Sequence, residues 1–200
     1  MHSGGMISLL LLAQLTAASP AGPLFTYEDL PIDRLEEGQR VAVLFRMTVG
    51  PDGRVLDCRA EASNSEERVN AQMCATARRG RFQPASKDGQ PTYGVYRTVA
   101  SWWLSGDRLE FPASSTTDLD VSLNRLPAGV QSPARIEFSM AVGPDGRIST
   151  CQAGSKDAHP VLVKIGCEQL AKSLTPLPAK TAAGTPVESV QTAAVLFKKS

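Results

Sequence analysis

Four cysteines carry the plainest chemistry in this 200-residue chain: Cys58, Cys74, Cys151 and Cys167. Thiols can bind zinc, act as nucleophiles or join as disulfides. Zinc sites need clustered ligands, commonly Cys-x-x-Cys with nearby histidines. No Cys-x-x-Cys occurs here, and His159 is the sole histidine after His2. The two cysteine pairs share one spacing, 16 residues (74 − 58 and 167 − 151). Equal placement selects Cys58 with Cys74 and Cys151 with Cys167 as disulfides, which form in oxidising compartments. Each closed loop should contribute roughly 3 kcal/mol in the chain-entropy picture. The other polar candidates read as structural. His159 abuts Pro160 at an expected helix start. Asp52 and Asp145 lie in Gly-Pro-Asp-Gly turns, where a carboxylate accepts local backbone N–H groups. Glu66 and Glu67 suit the positive end of a helix dipole. No Gly-rich phosphate loop, nucleophile elbow or metal-ligand spacing appears. No catalytic residue, metal or cofactor is expected.

These groups are positioned by a stretch that the chain spells twice. Val49-Gly50-Pro51-Asp52-Gly53-Arg54 returns as Val142-Gly143-Pro144-Asp145-Gly146-Arg147, an offset of 93 (142 − 49). The same offset carries Phe45 onto Phe138, Met47 onto Met140 and the first cysteine pair onto the second. Two copies at so long a period indicate tandem domains rather than a solenoid. Hydrophobic residues form 42% of the chain and aromatics 6%, so each copy buries a modest core and gains from a covalent staple. A net charge of +1 argues against a nucleic-acid or anionic-membrane surface. The one basic cluster, Arg78, Arg79 and Arg81, fits the negative end of a helix dipole.

Residues 6–18 are mostly apolar, with the length of a secretory leader and too short to span a membrane. Thr16-Ala17-Ala18 is the expected cleavage signal, leaving Ser19 first and no stable membrane span. A disordered lead-in is expected over 19–23, and a short helix or turn over 27–37. Residues 41–49 alternate, with Val41, Val43, Phe45, Met47 and Val49 inward and Arg46 and Thr48 outward, as in a half-buried strand. A return strand over 54–60 should face Leu56, Cys58 and Ala60 inward. Ser63-x-x-Glu66 resembles a capping box opening a helix to about Arg79, with Val69, Met73, Cys74 and Ala77 on one face. A third strand is expected over 93–104. The second copy repeats this order: a strand with Ile136, Phe138, Met140 and Val142 inward, Cys151 on the return strand, a helix from His159-Pro160 to about Ser173, and a last strand over 187–197. Beyond the helix the offset grows to 95, which places Trp102 on Phe197 and Trp103 on Lys198. Trp103 should then point outward.

The fold expected is α+β, two tandem small domains, each a three-stranded antiparallel sheet in β-β-α-β order packed with helix. The divisions are a leader over 1–18, a first domain over 24–105, a linker over 106–117 and a divergent second domain over 118–200.

The order of elements in the first copy resembles the TonB C-terminal domain. It comprises the strand over 41–49, the Gly50-Pro51-Asp52-Gly53-Arg54 hairpin, Cys58, Cys74, Phe82-Gln83-Pro84-Ala85, Gly89-Gln90-Pro91 and Trp102. The resemblance implies a non-enzymatic interaction module of the Gram-negative periplasm. It would bind an envelope or outer-membrane partner, such as a TonB-dependent-type receptor, by adding a partner segment to a sheet edge. The edge residues expected to meet the partner are Arg97, Val99, Ser101 and Trp103. With no membrane anchor and no proline-rich spacer in view, binding without energy coupling is expected. The competing expectation is a small-ligand or enzymatic site between the repeats, near His159. A third is that one copy covers the other's edge and closes the structure.

Overall fold

The computed structural model describes residues 14–29, 40–103 and 117–200, apart from the side chains of Tyr27, Arg40 and Trp103. The expected linker over 106–117, save Thr117, and most of the helix or turn expected over 27–37 lie outside these residues. Within 27–29 there is one turn of 3-10 helix.

In the first repeat, β3 (Arg40–Val49), β4 (Val55–Ser63), α1 (Glu67–Arg79) and β7 (Gln90–Trp103) follow in the expected order. Short strands β5 (Phe82–Gln83) and β6 (Ala85–Lys87) lie between α1 and β7. The second repeat follows suit with β9 (Ala134–Val142), β10 (Ile148–Ala153), α2 (Pro160–Ser173) and β13 (Ser189–Lys199), preceded by β8 (Leu119–Leu123). Strands β11 (Ala179–Lys180) and β12 (Pro186–Val187) pair with each other. Two strands lead the described chain, β1 (Leu15–Thr16) and β2 (Ser19–Pro20).

The spelled-twice stretch makes the same turn twice. Gly50 N donates to Arg54 O at 2.8 Å, and Gly143 N to Arg147 O at 2.8 Å. The Asp52 and Asp145 carboxylates accept from Arg54 N and Arg147 N at 3.1 and 3.0 Å. Gly53 and Gly146 close the turns at φ of +74° and +79°, where a side chain would be strained. Gly53 also gives room: a Cβ there would stand 2.2 Å from Phe82 O.

The two triple-stranded sheets are one. Strands β4, β3 and β7 pair antiparallel, as do β10, β9 and β13, and β7 joins β13 in parallel through Tyr93 opposite Ser189 and Gly94 opposite Val190. Successive residues of a strand face opposite sides. Val43, Phe45 and Met47 pack with Val69, Met73, Cys74 and Ala77 of α1, and this core also takes in Ala141 and Val190. Phe138, Met140 and Val142, flanking that alanine, pack instead with Leu162 and Leu170 of α2. The helices therefore cover opposite faces. Each is pinned to its return strand by a disulfide, Cys58 to Cys74 and Cys151 to Cys167.

Four local expectations change. Arg46 and Thr48, read as outward, are buried at 8% and 5% exposure, because the face opposite α1 is covered by the second repeat. Val55 rather than Leu56 points inward: the β3–β4 register shifts between Thr48 and Val49, so Leu56 is an extra residue. The Ser63 capping box does not form. Residue 63 still belongs to β4, α1 begins at Glu67, and the Ser63 hydroxyl donates to Asn70 Oδ1 at 2.9 Å. The lead-in over 19–23 is not loose at its start, since Ser19 and Pro20 pair with Gln83 and Phe82.

Helix α2 approaches its sheet closely at Gly166, where a Cβ would lie 2.2 Å from Phe138 Cζ. Gly166→Ala should thus destabilise the protein by about 1–3 kcal/mol despite the better helix propensity of alanine. A lower urea midpoint with an unchanged slope checks this.

Candidate functional site

Strand β7 carries the residues expected to meet a partner. One of its edges is taken by β3 from Gly94 to Trp103. The other is held by β13 only at Tyr93 and Gly94. Beyond Gly94 the two strands diverge, and β8 pairs in parallel with β13, Leu119 opposite Val195 through Leu123 opposite Lys199. Among the described residues, no strand pairs with the second edge of β7 from Val95 to Trp103.

Arg97, Val99 and Ser101 fall on the α2 side of the sheet, alternating with Tyr96, Ala100 and Trp102, which join the core under α1. Arg97 is not a free cation. Its Nε lies 3.0 Å from Glu61 Oε2, and its Nη1 2.6 Å from Asp118 Oδ1. Burial opposes its charge, but the hydrogen bond and charge of Asp118, with the charge of Glu61, outweigh that and raise its pKa. Val99 and Ser101 are half-buried. The Trp103 side chain lies outside the described residues.

Arg97 is one link in a polar chain that crosses the repeat boundary. Glu61 is the extra residue of a second register shift in β4, and it also faces Arg46 at 3.8 Å. Arg46 Nη2 donates to Leu177 O at 2.6 Å, and Gln191 Nε2 donates to the same oxygen at 2.9 Å. Burial lowers the Arg46 pKa. At the other end Asp118 Oδ2 accepts from Ala194 N at 2.9 Å. Sequence reasoning missed Arg46, Glu61, Asp118 and Gln191. Their only signal was a polar side chain on or beside a strand, which reads equally as a solvated face.

Where β7 and β13 part, a cleft of about 430 Å³ opens, lined by Leu44, Tyr96, Val99, Asp118, Thr192 and Ala194 among others. His159 is not in it. The histidine caps α2, its Nδ1 accepting from Val161 N at 3.3 Å, and it lines a larger open cleft of about 990 Å³ wholly within the second repeat, with Arg135, Lys156 and Asp157. Among the described residues no three metal-binding side chains gather, and no helix is long and apolar enough to cross a membrane.

Replacing Asp118 with alanine leaves Arg97 and Ala194 N each short of a partner. Stability should fall by about 1–2 kcal/mol. Arg135→Ala, which removes only an exposed 3.9 Å contact to Glu137, should stay within about 0.5 kcal/mol. Urea titration of both variants makes the comparison.

Residues 29–101 match the family described as Gram-negative bacterial TonB protein C-terminal. The match spans β3, β4, α1 and nearly all of β7, so this segment is similar to the TonB C-terminal domains, a family of envelope protein-interaction domains. The matched residues end before the second repeat. No curated protein and no solved structure matches the chain.

Proposed function

We propose that the protein is an exported, non-enzymatic interaction module of the Gram-negative periplasm. It takes an extended segment of an envelope or outer-membrane partner, of the TonB-dependent receptor type, along the open edge of β7. The observation that carries this reading is the incomplete cover of that edge. A strand with unpaired backbone N–H and C=O groups is a template for an added strand. The third strand of a TonB C-terminal-type domain lies open from Val95 onward among the described residues, while β13 blocks only its first rungs. Val99, Ser101 and Trp103 supply the alternating side-chain contacts. Arg97, held by Glu61 and Asp118, contributes a fixed wall to the cleft rather than a free charge.

A small-ligand reading attaches to the roughly 990 Å³ cleft at His159, Arg135 and Lys156, in the second repeat rather than between the repeats. His159→Ala should leave partner capture unchanged and abolish only a ligand-dependent thermal shift.

A photo-reactive amino acid at Ser101 should cross-link, in intact cells, to an extended segment of an envelope protein identified by mass spectrometry. The same group at Thr150 on β10 should give no such product. Equal labelling from both positions, or a product from β10 alone, would reject the β7 edge.

A further inference from the structure

Residues 14–18 belong to the stretch whose composition reads as a leader, yet the fold builds them in. Gln14 N donates to Asp88 Oδ1 at 3.0 Å, and Gln14 O accepts from Asp88 N at 2.8 Å. Strand pairing continues with Leu15 opposite Lys87 and Thr16 opposite Ser86. From the second repeat, Gln152 Nε2 donates to Leu15 O at 2.8 Å, and Gln152 Oε1 accepts from Leu15 N at 3.1 Å. Leu15 and Ala18 are 5% and 4% exposed. Ala18 fills the space left by a missing side chain: a Cβ on Gly94 would stand 2.7 Å from the Ala18 Cβ.

The repeat supplies an internal comparison. At the offset of 95, Asp88 corresponds to Ala183 and Gly94 to Ser189; at 93, Gln152 corresponds to Arg59. All three residues that receive the segment are different in the other copy. They are not needed to build the β-β-α-β unit, and what they have in common is residues 14–18.

We propose that residues 14–18 are a permanent strand of the mature protein, retained in the fold rather than discarded with a leader, with Asp88 and Gln152 holding its backbone. A cut after Ala18 would instead strip Leu15 and Ala18 from the core and leave Gln152 without its two backbone partners.

The test exports the full chain in a Gram-negative host and reads the intact mass of the purified protein. Chains beginning at Gln14 and at Ser19 are melted alongside. The mass should include residues 14–18, and the Ser19 chain should melt about 5 °C lower or more, from the lost burial of Leu15 and Ala18. Gln152→Ala should lower the Tm of the Gln14 chain and leave that of the Ser19 chain unchanged. A mature terminus past Gln14 overturns the permanent strand. Equal effects of Gln152→Ala in both chains overturn the permanent strand. Should the Ser19 chain fail to fold, that failure supports the strand, and Asp88→Ala in the Gln14 chain then reads its anchor as a lowered Tm.

Discussion

Two parallel rungs between β7 and β13 decide the architecture. At Tyr93 with Ser189 and Gly94 with Val190, the third strands of the two repeats lie side by side in the same direction. The strands meet by their equivalent outer edges, the others being taken by β3 and β9, and the pairing is one residue out of step with the repeat, since Gly94 stands opposite Val190 but corresponds to Ser189; equivalent residues therefore point to opposite faces. A helix packed on the same side of each module must then end on opposite sides of the joined sheet. Gly94 also makes room for the core beside these rungs. Gly94 has no side chain where Ala18 and Ala85 come together, with the Cβ of each within 2.9 Å of the position its own would take.

That geometry creates an unusual demand on polar residues. Each module has one face for its own helix and one that a lone module would leave to solvent. In the joined sheet, part of that second face is covered by the neighbour, so Arg46 and Thr48 of the first repeat are buried. Buried charge is costly unless paired and hydrogen-bonded. The structure meets this through the bulged Glu61, the carbonyl of Leu177 and the Asp118 carboxylate, which together bind Arg46 and Arg97. The network is better understood as satisfying groups that the junction buries than as a strong source of stability. Its consequence is registration: Leu177 and Asp118 belong to the second repeat, Arg46 and Arg97 to the first.

Edge management follows from the same junction. Fully pairing β7 with β13 would have closed the second edge of β7. The strands part after two rungs, and β8 takes the place beside β13. The second repeat therefore protects its own third strand while leaving most of the first repeat's exposed among the described residues.

Much of each module was legible in the chain itself. Alternation at Val43, Phe45 and Met47, the Gly-Pro-Asp-Gly turns, the helix faces and the cysteine spacing are all local or repeated, and a period of two or 3.6 residues reports them directly. The turn role of Asp52 and the capping role of His159 could be read because each acts on backbone two residues away. What could not be read is whatever depends on a partner far along the chain. The burial of Arg46, the engagement of Arg97 by Asp118 and the docking of Leu15 against Gln152 involve residues 21 to 137 positions apart. An arginine on the outer side of a strand has the same local pattern whether water or another repeat covers it. Sequence alone thus determined two β-β-α-β units and their covalent staples. Tertiary structure decided that they share one sheet with helices on opposite faces, because a two-rung backbone contact at a glycine leaves no periodic trace.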